Sequence, residues 1–99
     1  MANTQYYYFE GQPTAGTPFY FSQVVTISYA SDQDRTNRLT DYCNQLSINI
    51  QDNGDNPLNY NIFASATDVA DTAANCQDDH DSTIRGLTTA GRVVNNVNL

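Results

Sequence analysis

Four consecutive aromatic residues near the amino terminus limit what this chain can fold into more than any other feature does. The run consists of Tyr6, Tyr7, Tyr8 and Phe9. Aromatic residues favour strands, and successive side chains of a strand point to opposite faces, so a strand here carries rings on both faces. A 99-residue chain builds one modest core and seldom covers both faces of a terminal strand. We therefore expect these four rings to form an interface, packed against another subunit or added as a strand to a neighbouring sheet.

The residues around this run form an almost uncharged segment with a break in it. Glu10 is the single formally charged side chain among the first thirty residues. The stretch from Gly11 to Pro18 contains glycines and prolines that interrupt regular structure. We predict two parts. Residues 1–18 form an amino-terminal arm or edge strand that reaches a neighbouring subunit, and residues 19–99 form a single α+β domain.

A strand and a helix are predicted most clearly by the next part of the chain. Residues 19–30 alternate with one apolar face, which is typical of a half-buried strand, and their length predicts a bend or bulge near Ser22–Gln23. Ser31 is a candidate helix N-cap, with Asp34 three residues later in an approximate capping box. A helix over about 32–46 then presents one apolar stripe, which consists of Leu39, Tyr42, Cys43 and Leu46.

The second half of the chain gives weaker signals. Residues 48–50 and 58–66 alternate around a turn-rich run and predict a hairpin. An alanine-rich stretch predicts a second short helix over about 67–77, followed by an exposed loop at 78–81 and weak strand candidates at 83–87 and 92–97. The expected fold class is α+β: a small antiparallel sheet with one amphipathic helix and a second short one.

Charge narrows the range of partners. The net charge is −7, and lysine is absent. Nucleic-acid binding depends on basic residues that neutralise phosphates, and anionic membranes attract basic segments, so we expect neither partner. Residues 11–31 are too polar to span a membrane, and the amino terminus lacks the basic and apolar regions of a secretory signal. The partners we expect are protein subunits, in a homo-oligomer or a larger scaffold.

Potential metal ligands concentrate in one tetrad, Asp78-Asp79-His80-Asp81. Carboxylates suit calcium or magnesium, and a histidine shifts the preference towards transition metals. Adjacent residues of one loop rarely all point at one ion, so these four are weak candidates, and we expect a solvated loop and no cofactor. Cys43 and Cys76 permit a disulfide but also suit two reduced thiols, and both alternatives remain open.

Catalytic patterns are sparse. His80 is the only histidine, and the absence of lysine excludes Schiff-base chemistry. The stretch Asp32-Gln33-Asp34-Arg35-Thr36 resembles the DxDxT motif of haloacid-dehalogenase-type phosphotransferases, in which the first Asp (here Asp32) is the nucleophile and the second (here Asp34) the general acid. The chain is too short for that family's full doubly wound domain, and Ser31 to Asp34 reads as a helix cap. We therefore expect no enzymatic activity.

These observations favour a non-enzymatic structural subunit of a larger assembly that docks through Tyr6, Tyr7, Tyr8 and Phe9. We expect a small viral or phage virion protein, such as a capsid-decorating or tail component, located in the virion. The alternative is a small acidic inhibitor or nucleic-acid mimic that binds a basic protein, which would be cytoplasmic. A cation-dependent adhesion module is a third hypothesis.

Overall fold

The computed structural model describes residues 3–14, 16–65 and 72–99. Within them the chain forms five strands, two helices and a 3-10 turn at Pro57–Asn59. The strands are β1 (Asn3–Pro13), β2 (Phe19–Ser22), β3 (Val25–Tyr29), β4 (Tyr60–Ser65) and β5 (Val94–Val97), and the helices are α1 (Asp32–Asp52) and α2 (Ala73–Thr89). The predicted α+β class is confirmed.

The sheet is mixed, whereas the sequence predicted an antiparallel one. β1 pairs antiparallel with β2, β3 and β4, but β5 pairs parallel with β2. Since β2 and β4 both run against β1, β4 and β5 run in the same direction. Along the chain, α2 lies between them. The expected antiparallel sheet is therefore wrong for the β2–β5 pair, because the chain enters β5 from a helix rather than from a hairpin.

β2 and β3 follow one another along β1. Glu10 pairs with Phe21, and Tyr7 pairs with Val25. Three residue steps along β1 thus correspond to four along β2 and β3, so one extra residue is accommodated between them, as in a β-bulge. The Phe9 N–H donates to Ser22 Oγ at 2.8 Å, which satisfies a backbone donor where the ladder is interrupted. The predicted interruption near Ser22–Gln23 is confirmed.

Each face of the sheet carries its own hydrophobic cluster. On one face α1 packs its buried Leu46 and Ile50 against the sheet. On the other face α2 packs Cys76, Ile84 and Leu87 against it. The described residues therefore form three layers, helix on sheet on helix, and the sheet is the central layer.

α1 begins where the sequence predicts but ends later. Ser31 Oγ accepts a hydrogen bond from the Asp34 N–H at 3.2 Å and caps the helix. The helix extends to Asp52 rather than to about residue 46. Ile50 lies one helical turn beyond Leu46 and is fully buried, so the apolar stripe continues. The predicted strand at 48–50, and with it the hairpin, is wrong, although the strand expected at 58–66 exists as β4.

α2 is longer and lies later than the predicted short helix at 67–77. Residues 67–71 lie outside the described part of the chain, and from Ala73 the helix continues to Thr89. The loop expected at 78–81 and the strand candidate at 83–87 are therefore wrong. Cys76, His80, Ile84 and Leu87 recur at intervals of four, four and three residues and form the inward stripe of the helix. The strand candidate at 92–97 is confirmed as β5.

Candidate functional site

The consecutive aromatic residues of β1 lie inside the folded chain. Tyr7 and Phe9 face α1, while Tyr8 faces α2, and these three side chains are at most 1% exposed. Tyr6 is half-buried. The expectation that one small domain leaves one face uncovered is wrong here, because α2 is long enough to cover the second face. β1 pairs with three strands of its own chain and is part of the sheet rather than a separate arm.

Residues 3–7 of β1 and β3 together form a two-stranded extension of the sheet, called the ribbon below. Within the described residues, each of its strands has the other as its only sheet partner. α1 covers one face of the ribbon through Val25, Ile27 and Tyr29, all of which are buried. The opposite face is polar and exposed at Thr26 and Ser28. The backbone edge of β3 that points away from β1, called the β3 edge below, is unpaired in the described part of the chain.

The β3 edge lacks the features that usually protect such edges. Proteins place charged side chains, prolines or very short strands at sheet edges to prevent pairing with other chains. Val25–Tyr29 contains no charged residue and no proline. The bulge between Ser22 and Val25 lies before this strand and leaves its five-residue ladder with β1 regular.

The charges nearest the ribbon neutralise one another. The first two turns of α1, which follow β3 directly, carry two acidic and two basic side chains. Arg38 Nε lies 3.2 Å from Asp34 Oδ1, and an Arg35 guanidinium nitrogen lies 3.7 Å from Asp32 Oδ1. The Arg35 guanidinium also lies over the Tyr29 ring, 5.4 Å from its centroid, which is close enough for a cation–π contact. This end of the molecule therefore has no local net charge.

The two carboxylates of the DxDxT-like stretch serve the start of α1. Asp34 Oδ2 accepts a hydrogen bond from the Ala30 N–H at 3.0 Å, while the Asp34 N–H donates to Ser31 Oγ. These reciprocal bonds form the predicted cap. Asp32 is exposed and pairs with Arg35. Both acids are therefore engaged in helix capping and ion pairing, and the phosphotransferase resemblance gains no support from their surroundings.

The tetrad at 78–81 lies within α2, and its side chains diverge. Successive helical residues are rotated by about 100°, so four in a row cannot converge on one ion. Asp78 and Asp81 are exposed, Asp79 is half-buried and His80 is buried. Among the described residues, no group of three or more His, Cys, Asp and Glu side chains is arranged to hold a metal ion.

Asp79 and His80 contact β1 in a partly buried polar cluster. Tyr8 donates its hydroxyl hydrogen to Asp79 Oδ2 at 2.6 Å, and Thr83 Oγ1 lies 3.3 Å from the same hydroxyl. The His80 ring packs edge-on against Tyr8, with centroids 5.1 Å apart, and its Nδ1 lies 3.0 Å from Asp81 Oδ1. The hydrogen bond with His80, followed by that from Gln77, lowers the pKa of Asp81. These contacts attach α2 to the sheet.

Glu10 belongs to the same region and was not singled out as a site from the sequence. Its side chain is 8% exposed, and its pKa is raised, first by burial and second by the Asp79 carboxylate. A buried carboxyl group with a raised pKa is a common feature of catalytic sites. However, three cavities of the described residues, with volumes of 350, 280 and 270 Å³, are lined by neither Glu10 nor Asp79. The sequence signal for Glu10 was that it is the single formally charged residue among the first thirty.

The cavity of 350 Å³ lies between the end of α1 and β5, and its lining is rich in amide side chains. Tyr20 lines this cavity, and its hydroxyl is hydrogen-bonded to Asp55 and accepts a bond from Asn53 Nδ2. Burial is the main cause that raises the pKa of Tyr20. The other amide residues are Asn49, Asn95 and Asn96. The Tyr20 hydroxyl is thus already hydrogen-bonded to two residues of the same chain.

The two cysteines lie on opposite sides of the sheet. Cys43 packs with the α1 cluster, and Cys76 is fully buried in the α2 cluster. Both are free thiols, so the disulfide alternative within one chain is wrong. Burial raises the pKa of Cys43, and burial together with the Asp79 carboxylate raises the pKa of Cys76 to about 11. Neither thiol is activated as a nucleophile, because each is held in its protonated form at neutral pH.

Comparisons with known proteins supply no family. No protein-family model, no curated protein and no solved structure matches the chain. Among the described residues, no helix has the length and apolarity needed to cross a membrane. The feature that sequence analysis missed is the β3 edge, since residues 19–30 were interpreted as a core strand. The absence of charge there was the available signal.

Proposed function

We propose that this chain is a non-enzymatic structural subunit of a larger assembly. The observation that carries the proposal is the unprotected β3 edge, whose residues Val25–Tyr29 contain neither a charge nor a proline. Such an edge presents unpaired N–H and C=O groups to any extended segment that approaches it. The sequence suggested docking through the rings of Tyr6 to Phe9. Since three of those rings are buried, the proposal now assigns docking to the backbone of the same ribbon.

The surroundings of the carboxylates and thiols also support a non-enzymatic function. Apart from the exposed Asp78, the carboxylates and thiols of the candidate site are bonded to their own chain or at least partly buried within it. The two cysteines lie on opposite faces of the sheet. A catalytic site needs a nucleophile or base next to a space for substrate. The Glu10 and Asp79 pair has no such space among the three cavities described.

The setting we propose is a virus or phage particle, in which the chain decorates a capsid or forms part of a tail. Composition supports this setting: the chain is small, lacks lysine, and obtains its polarity mainly from uncharged side chains, with only 15% charged residues. Repeated copies of a small subunit associate through symmetric contacts, and a sheet edge provides such a contact without a large apolar surface.

Native purification with gradient sedimentation tests this function. The lysate or particle preparation that contains the chain is sedimented without denaturant, and fractions are identified by mass spectrometry. We expect the chain to sediment with particle-sized material, far ahead of a free 11.0 kDa protein. Sedimentation only as a free chain or a small oligomer, with no other structural protein in the same fractions, would contradict the proposal.

The second candidate, an acidic inhibitor of a basic protein, is favoured by one specific observation. Residues 41–99 carry eight Asp against two Arg, whereas residues 1–40 carry three acids against two Arg. The negative charge is therefore concentrated in the second part of the chain. An inhibitor of this kind binds its target with a steep salt dependence. Capture of a single basic protein, released by moderate salt, would favour it over the structural subunit.

A further inference from the structure

We propose that the β3 edge docks a second copy of this chain, so that two sheets join into one across a two-fold axis at Ile27. This inference rests on the proposed structural function and specifies one contact between subunits of the assembly. The strands pair antiparallel, which places Val25 of one copy opposite Tyr29 of the other and Thr26 opposite Ser28. Because the axis is perpendicular to the sheet, the α1 layers of both copies lie on the same side.

Charge favours a second copy at this edge over a second copy elsewhere. The molecule carries a net charge of −7, so most of its surfaces repel their own copies. The ribbon is the exception. The acids nearest to it, Asp32 and Asp34, are both paired with arginines of α1. A contact centred on Ile27 therefore brings together the least acidic parts of the two molecules.

Side-chain chemistry at the edge is self-complementary. The face towards α1 presents Val25, Ile27 and Tyr29, so an antiparallel copy places apolar residues next to apolar residues. The other face presents Thr26 and Ser28, and hydroxyl side chains across neighbouring strands form favourable pairs. A contact of this type already exists within the chain, since Thr4 Oγ1 lies 3.5 Å from Ser28 Oγ across the ribbon.

A closed pair explains how an unprotected edge is compatible with a soluble subunit. An edge that pairs with its own symmetry mate in a two-fold contact leaves no further edge of the same kind exposed. An edge that accepts unrelated strands would remain open to continued addition, which leads to aggregation. A single pairing of five residues is a small interface, so we expect a dissociation constant in the micromolar range, about 1–100 μM.

Charge-swapped variants test the pairing directly. Thr26 and Ser28 are exposed and point away from α1, so their substitution leaves the core intact. One variant carries Thr26→Lys with Ser28→Lys, and a second carries Thr26→Glu with Ser28→Glu. Size-exclusion chromatography with light scattering, run over a dilution series, measures the mass of each variant alone and of the mixture.

We expect wild type to approach twice 11.0 kDa at high concentration. Each variant alone should have a dimer dissociation constant raised about tenfold or more. An equimolar mixture should restore a one-to-one heterodimer, because opposite charges then face each other across the two-fold axis. Circular dichroism and thermal melting show whether each variant is folded. The mixture provides a second control, since misfolded variants would not recover on mixing.

A matched control uses two exposed hydroxyl residues that lie away from the ribbon. Ser82→Lys with Thr89→Lys on α2 changes the net charge as much as the first variant does and should leave dimerisation unchanged. A wild-type chain that stays monomeric at every concentration overturns the inference, as does dimerisation that the edge variants leave intact. A monomer that still sediments with particles would refute the edge contact alone, whereas a dimer without particles would refute the proposed function alone.

Discussion

Replacing Glu10 with glutamine tests whether the centre of the sheet holds a destabilising charge. Glu10 lies on β1 and is 8% exposed, and burial is the largest cause of the raised pKa of its carboxyl group. Gln is nearly isosteric with Glu and removes the charge. It also removes the repulsion with Asp79, which lies on α2 and is the second cause of the raised pKa of Glu10. We therefore expect the variant to be more stable at neutral pH.

The direction of this change in stability follows from proton linkage. The pKa of Glu10 in the folded chain is raised above its ordinary value of 4.5, so the folded state binds this proton more tightly than the unfolded state does. The contribution of Glu10 to stability is therefore greatest below pH 4.5 and decreases as pH rises through the folded-state pKa. Removing a polar group from water costs about 1–3 kcal/mol. Because Glu10 retains slight exposure, we expect Glu10→Gln to raise the free energy of unfolding at pH 7 by about 1 kcal/mol.

Urea unfolding followed by circular dichroism measures this effect at pH 7 and at about pH 3, on either side of the isoelectric point near 4.1. A gain of about 1 kcal/mol corresponds to a melting temperature about 4–8 °C higher in a domain of this size. At the lower pH the gain should vanish, because Glu10 is protonated in both states. Asp78→Asn is the control, since it removes one exposed negative charge from α2. A gain equal to that of the control, or one that persists at low pH, would refute the argument.

Three further predictions concern packing, capping and thiol accessibility. Gly11→Ala should lower the free energy of unfolding by about 1 kcal/mol, because the new Cβ would lie 3.2 Å from Ile50 Cδ1. Gly86→Ala, whose new Cβ meets no atom within 4 Å, should instead raise the free energy of unfolding by up to about 1 kcal/mol. If urea titrations show that both variants change the free energy of unfolding in the same direction, the close packing at Gly11 is contradicted. Ser31→Ala should lower the free energy of unfolding by about 1 kcal/mol through loss of the cap at the start of α1. The exposed Ser82→Ala within α2 should not lower it, because alanine is the better helix former, and similar losses in the two variants would argue against the cap. In a thiol-labelling assay at neutral pH, Cys43 should react before Cys76, which is fully buried, has a pKa of about 11 and should react only on unfolding. The variants Cys43→Ala and Cys76→Ala show which thiol gives each reaction phase. Equal labelling rates, or an internal disulfide, would contradict the observed burial of Cys76.

Local signals in the sequence were sufficient for the start of α1 and for the break between β2 and β3. The capping pattern at Ser31 depends on atoms within four residues, so it does not require knowledge of the tertiary fold. The end of α1 was harder to predict from the sequence. Ile48 and Ile50 alternate as in a strand, but Ile50 also lies at the helical spacing from Leu46, and a short apolar run does not distinguish the two periods. Burial of Ile50 against the sheet determines the outcome.

α2 was misjudged because its inward stripe contains residues that sequence patterns treat as polar. His80 lies among acidic residues, which suggested a solvated loop, yet its ring is buried between α2 and the rings of Tyr8 and Phe21. Both rings lie more than fifty positions away from His80 in the sequence. Only the fold brings them together, so a stripe that depends on a buried histidine gives little signal in isolation.

This helix also changes how the aromatic run bears on assembly. With α2 in place, rings on both faces of β1 belong to two cores of the same chain, and the segment no longer requires a neighbour to cover its side chains. Yet the composition that makes the segment suitable for burial also leaves β3, its partner in the ribbon, without a charged residue. A backbone edge then remains unpaired in the described residues although Tyr7, Tyr8 and Phe9 are buried. We therefore propose that the amino-terminal third of the chain mediates association through main-chain hydrogen bonds at β3 rather than through aromatic side chains.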